Sequence, residues 1–144
     1  MGVGDILAKR KRDAAEKNLF EGFKFQDEFA QKPGVVKTKS GLLYEVLVQG
    51  NGFKPTVKDK VECHYHGTTI TGEVFDSSVN RGKPAVFPLN RVIKGWTEGL
   101  QYMNCGSKFR FVIPADLAYG EEAISKEIGP NSTLIFEVEL LEIK

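Results

Sequence analysis

The sequence has few of the residues that most often carry chemistry. It holds two cysteines, two histidines and one tryptophan in 144 residues. Cys63 and Cys105 lie far apart and in no metal-ligand spacing, so neither a disulfide framework nor a zinc knuckle is expected. Both are read as buried or half-buried thiols. No apolar run is long enough to span a bilayer. Twenty Lys and Arg against nineteen Asp and Glu leave a net charge of +1. Such a chain has no overall field for nucleic acid or a membrane surface, and neither is expected as a partner. The Gly-x-Gly-x-x-Gly, P-loop and Gly-x-Ser-x-Gly patterns are all missing, which removes the sequence support for nucleotide use or a serine nucleophile. The opening MGVGDILAKRKRDAAEK has no apolar segment after a basic start. It reads as lacking a secretory signal, and the expectation is a cytoplasmic protein, or a periplasmic one if a leader has been removed.

Two weak charge motifs remain. Glu62, His64 and His66 share one face of an expected strand, and two histidines with a carboxylate suit zinc. Spacing fixes no further strong ligand, and outward strand positions are normally polar. No metal and no cofactor are therefore expected. Lys9-Arg10-Lys11-Arg12 is read as a solvated helix face, because Asp13 and Glu16 follow directly.

What is present is a helix followed by a series of short strands. Good helix formers fill the first thirty residues, with Asp5 as the expected cap, an end near Gln31 and Lys32-Pro33-Gly34 as the stop. At helical pitch Leu19, Phe20 and Phe23 fall on one side, and Phe25 and Phe29 nearly opposite. Two stripes suggest burial on two sides, and a homodimer through this helix is one expectation; simple exposure of one stripe is the other. Strands are then expected at Val35-Val36, Leu42 to Gln49, Lys60 to His66, Glu73 to Phe75, Val86 to Leu89, Lys108 to Ile113 and Thr133 to Ile143, the last the longest. Val61, Cys63 and Tyr65 should face one way and Glu62, His64 and His66 the other. Asp76-Ser77-Ser78 and Asn80-Arg81-Gly82 read as loop, Lys94 to Tyr102 as a short helix, and Pro114 to Glu127 as a long loop or short helical turns. The expected class is α+β, an antiparallel sheet wrapped on a helix. Residues 1–33 are expected to form a helical arm and 34–144 the main domain.

Aromatic and aliphatic residues crowd between Val61 and Trp96: Tyr65, Phe75, Phe87, Val92, Ile93 and Trp96, with Asp76 beside Phe75. Tyr119, Ile128 and Phe136 follow later. They suit an apolar pocket with a few polar tips. Composition alone favours a plain aromatic core.

The motifs Tyr65-x-Gly67, Phe75-Asp76-Ser77-Ser78, Val92-Ile93-x-Gly95-Trp96, Ala118-Tyr119-Gly120 and Leu134-Ile135-Phe136-Glu137-Val138-Glu139-Leu140 occur in order along residues 40–144. In these the sequence resembles the FKBP-type peptidyl-prolyl cis-trans isomerases. Lys32-Pro33-Gly34-Val35-Val36, Ser40-Gly41-Leu42 and Gly82-Lys83-Pro84-Ala85 resemble the bacterial Mip/FklB-like branch, with its helical dimerisation region shortened here to one helix. The resemblance implies a bent antiparallel β-sheet half-wrapped round a short α-helix, with a pocket between them. It implies catalytic roles for Tyr65, Phe75, Asp76, Ile93, Trp96, Tyr119 and Phe136, and substrate contacts from Phe87, Val92 and Ile128. Trp96 would be the floor, and the Tyr119 hydroxyl and Ile93 N–H would bond ligand carbonyls. The implied partners are proline-containing polypeptides and the macrolides tacrolimus and rapamycin. Two departures stand out: Ala85 replaces an aromatic common in the family, and the stretch Glu121 to Ile128 is acidic and poor in glycine.

Overall fold

The structure is a computed structural model and describes residues 2–144. Helix α1 runs from Val3 to Ala30. Its cap is Gly2 rather than Asp5; Asp5 lies in the first turn, where its carboxylate accepts the Gly2 N–H at 3.4 Å. Lys32-Pro33-Gly34 does end the helix, with Gly34 in the left-handed region at φ 85°. The two aromatic stripes separate as the helical pitch requires. Phe29 is buried with Leu43 and Val112, and Phe25, Val35 and Ile135 pack around them. Phe20 and Phe23 point away, 71% and 53% exposed. The buried stripe continues toward the N-terminus through Gly22, Asn18 and Ala15, at the three- and four-residue steps of one helix face.

Seven antiparallel strands form one sheet: β1 (Val35–Lys37), β2 (Leu43–Val48), β3 (Lys60–Thr69), β4 (Val74–Ser77), β5 (Ala85–Pro88), β6 (Lys108–Ile113) and β7 (Leu134–Ile143). The order is β1-β2-β6-β7-β3-β4, with β5 also on β3. β3 alternates as expected, with Val61, Cys63 and Tyr65 buried in the core and Glu62, His64 and His66 outward. It is ten residues long, so β7 is not the single longest strand. Gly67 does not break it, because Gly67 pairs with Phe136 and its missing side chain leaves room for two rings. A Cβ there would stand 2.7 Å from Phe75 and 2.8 Å from Phe136.

The outer edge of β3 is shared. β5 pairs with Lys60 to Cys63, and β4 with His66 to Thr68. Between them no strand meets Tyr65 on this side. The gap is filled by α2 (Ser78–Arg81), a one-turn helix where a loop was expected. The Ser77 hydroxyl caps it by accepting the Asn80 N–H, and Gly82 ends it at φ 73°. The fully buried Ser78 hydroxyl accepts the Tyr65 N–H at 2.7 Å. A side chain thus replaces a missing rung of the ladder, which a buried N–H requires.

Helix α3 (Lys94–Gly99) and the 3-10 turn Leu100–Tyr102 lie on the inner face. Gly95 and Gly99 let α3 approach closely: Cβ atoms there would stand 2.6 Å from Ile113 and 2.6 Å from Phe111. Trp96, Leu100, Phe111, Leu134, Phe136 and Leu140 belong to the main core. The sheet half-wraps α3, and the open end of that wrap is the site.

Candidate active site

Trp96 projects from α3 against the sheet and is 4% exposed. Three rings meet it edge-on: Tyr65 at 5.3 Å, Phe87 at 5.4 Å and Phe136 at 5.3 Å between centroids, with interplanar angles of 80° to 85°. Perpendicular contacts of this kind suit the ring quadrupoles and fix the box. The cavity above the indole measures about 320 Å³ and is lined by Tyr65, Asp76, Phe87, Arg91, Val92, Ile93, Trp96, Tyr119 and Phe136. Trp96 Nε1 is buried without a hydrogen-bond partner among the described residues.

The polar groups stand at the mouth. Ile93 is the residue before α3, and its N–H meets no acceptor among the described residues. Tyr119 follows the 3-10 turn Ala115–Leu117 and is partly exposed. The Tyr65 hydroxyl donates to Asp76 Oδ2 at 2.7 Å and accepts from Arg81 Nη2 at 2.9 Å. Arg81 also pairs with Asp76 Oδ1 and stands 5.7 Å above the Tyr65 ring. Burial and the bond to Asp76 push the Tyr65 phenol above its ordinary pKa, while Arg81 pulls it back. Burial also pushes Asp76 up, but the bonds from Tyr65 and Arg81 outweigh it and hold the carboxyl below its usual value. At neutral pH Asp76 is an anion and Tyr65 a phenol. Asp76 is tied up as an acceptor and is a poor candidate for a general base.

Eight of the ten residues expected at the site line one cavity. Phe75 does not; its ring stands edge-on behind Phe136 at 5.3 Å and supports that wall. Ile128 does not line it either, because its segment folds back, with its N–H on the Ser125 hydroxyl, and turns the side chain into the core. Sequence reasoning missed Arg81 and Arg91. The one signal for Arg81 was Gly82: a left-handed cap ends a helical turn and swings Arg81 back toward Asp76. Nothing marked Arg91.

His64 and His66 have structural partners: their Nδ1 atoms meet Ser78 Oγ at 2.9 Å and Ser77 Oγ at 2.8 Å. Among the described residues no group of three His, Cys, Asp or Glu is placed to hold a metal ion. None of the described helices is long and apolar enough to cross a membrane.

Known proteins agree with this geometry. The family described as FKBP-type peptidyl-prolyl cis-trans isomerase matches residues 52–141, and the domain amino terminal to it matches residues 4–46. The FKBP-type 22 kDa peptidyl-prolyl cis-trans isomerase of Escherichia coli (strain K12) is 51% identical, over 92% of this chain and 67% of its own length. The outer membrane protein MIP of Legionella longbeachae is 46% identical, over 97% of this chain and 61% of its own. The crystal structure of FkpA from Escherichia coli superposes with a TM-score of 0.92 at 42% identity, over 95% of this chain and 64% of that one. The chain spans about half to two thirds of the length of the curated relatives it matches. The cytoplasmic expectation finds no support in these relatives, one of which is named for the outer membrane. With the bent sheet, the short helix inside it and the aromatic box between them, the chain belongs to the FKBP-type peptidyl-prolyl cis-trans isomerases, in the branch of Mip and FkpA.

Proposed function

We propose that this chain accelerates cis-trans rotation about X–Pro bonds in polypeptides, using the cavity over Trp96. The observation that carries the reading is an apolar box closed by three edge-on rings, with unpaired donors at its mouth and its carboxylate, Asp76, already engaged by Tyr65 and Arg81. Rotation crosses a barrier of about 18–20 kcal/mol set by amide resonance, and needs no proton transfer or covalent intermediate. The planar amide is the more polar form and is held by water. A dry aromatic wall favours the twisted form, whose resonance and charge separation are reduced. The Ile93 N–H and Tyr119 hydroxyl bond the carbonyls flanking the proline, and bonds that tighten in the twisted geometry lower the barrier by about 1.36 kcal/mol for each tenfold in rate. In this reading Tyr65, Phe75, Asp76, Ile93, Trp96, Tyr119 and Phe136 serve catalysis, with Phe75 acting through Phe136. Phe87 and Val92 hold the proline, and Ile128 acts only as packing.

The test is cis-to-trans exchange of a Leu-Pro or Phe-Pro peptide with and without rapamycin. Acceleration abolished by rapamycin supports both the activity and macrolide binding in this cavity; no acceleration overturns the catalytic reading. Tacrolimus should compete in the same way.

A second reading adds client binding. Leu19, Phe20 and Phe23 form an exposed apolar stripe on α1, of which Leu19 and Phe23 edge a groove against Pro114 to Asp116 and Phe20 is the most exposed. Residues 1–33 then act as an arm that pairs two copies, and two cavities on one dimer raise avidity for unfolded chains. Phe20→Glu should lower the mass in sedimentation and slow refolding of a protein client, leaving short-peptide turnover intact; an unchanged mass sinks the arm. The outer-membrane relative favours the periplasm as the working compartment.

A further inference from the structure

The segment carrying Tyr119 is tied to α1, beside the groove that Leu19 and Phe23 edge. Asn131 is the one residue other than glycine with positive φ among the described residues, at 57°. Asparagine tolerates this left-handed conformation better than most side chains. Two bonds leave it in opposite directions. Its N–H reaches the carbonyl of Gly120, next to Tyr119, at 2.7 Å. Its side-chain amide reaches the Ala15 carbonyl of α1 at 3.3 Å. Gly120 in turn donates to Ala115 at 2.8 Å, closing the turn in which Tyr119 sits.

The residues around Asn131 hold the same seam. Asn18 on α1 donates to the Pro130 carbonyl at 2.8 Å, and Gln26 to the Thr133 hydroxyl at 2.9 Å. Between them Gly22 gives the room: a Cβ there would stand 2.4 Å from Thr133 Oγ1. Ala15, Asn18, Gly22 and Gln26 recur at three, four and four residues and face the same way. So the polar half of the buried face of α1 is spent on the segment that returns from the Tyr119 turn, while its aromatic half docks on the sheet.

We propose that Asn131 is a positioning residue for Tyr119, fixing the height of its hydroxyl over the cavity by tying the Tyr119 turn to α1. This rests on the isomerase reading, in which that hydroxyl bonds the substrate. On this view α1 is part of the active-site frame as well as an arm, and the catalytic domain is completed by the residues before it.

Asn131→Gly can keep the left-handed backbone and the N–H to Gly120 while removing the side-chain tie to α1, at the cost of some added backbone freedom. Hydrogen exchange on the full chain should then show the Gly120 amide exchanging about tenfold faster than in the parent. Peptide turnover should lose about fivefold in kcat/KM, and that loss should vanish when Asn131→Gly is made in a Tyr119→Phe background. A general loss of stability would not be cancelled by removing one hydroxyl. If Asn131→Gly does not fold, Asn18→Ala and Gln26→Ala enter the same cycle. Unchanged exchange at Gly120, unchanged turnover, or an equal loss with and without the Tyr119 hydroxyl each overturns the proposal. A parent without isomerase activity sinks the functional reading instead, and the exchange measurement still decides whether the tie exists.

Discussion

Replacing Asp76 by asparagine separates a twisting mechanism from a proton-transfer one. Asp76 receives two bonds, from the Tyr65 hydroxyl at 2.7 Å and from Arg81. Asparagine keeps a carbonyl oxygen for Tyr65 but turns an amide toward Arg81. The lost ion pair is about half exposed on both sides, where water and salt already weaken such pairs. The bond to Tyr65 survives with a neutral acceptor, about half as strong as with a charged one. A bond to a charged acceptor is about 1.5–3 kcal/mol, so halving it loses about 0.8–1.5 kcal/mol, or about tenfold in rate at most. Removing a true general base lowers the rate by about 10²–10⁴-fold. Exchange of a Leu-Pro peptide, on protein checked for native near-ultraviolet dichroism, should therefore fall by less than tenfold. A drop beyond a hundredfold would refute the argument and give Asp76 a chemical role.

Asp76 is held ionised and Tyr65 protonated, so turnover should be flat from about pH 6 to about pH 8.5; a titrating limb inside that window contradicts a mechanism without proton transfer. Because the folded state lowers the Asp76 pKa, its contribution to stability is full above the unfolded value and fades as pH falls through the folded one, visible in acid denaturation that Asp76→Asn flattens. Ser78→Ala leaves the Tyr65 N–H buried without its acceptor and should cost about 1–3 kcal/mol in urea unfolding, with m unchanged. Gly67→Ala drives a methyl into Phe75 and Phe136, and should weaken rapamycin binding in calorimetry more than Asp76→Asn does.

Much of the fold could be read from periodicity, because burial on one face leaves an alternating record. β3 shows it in Val61, Cys63 and Tyr65, and α1 in Phe25 and Phe29. The misreadings fall where tertiary contacts overrule a local habit. The strand expected to end at His66 runs on to Thr69, because Gly67 is the residue two rings need. Ser77 and Ser78 read as loop, yet one caps a helical turn and the other completes the β3 edge. At the site, the aromatic walls were visible as composition and order of motifs. Arg81 was not, because its contact with Tyr65 depends on one helical turn closed by Gly82. Nothing in the sequence marks Asn18 and Gln26, since a polar residue bonded to a neighbouring segment has no signature in hydropathy.

The single tryptophan of the chain is the one beneath the cavity. Its indole N–H is unpaired and its ring is boxed by three aromatic edges. The protein therefore carries its own optical probe at the place where a proline would rest. Emission excited at the red edge of the absorption band comes from Trp96 alone. An occupant that expels water from the cavity shifts that emission to the blue and shields it from iodide. Occupation of the cavity can be followed on unlabelled protein without a turnover assay.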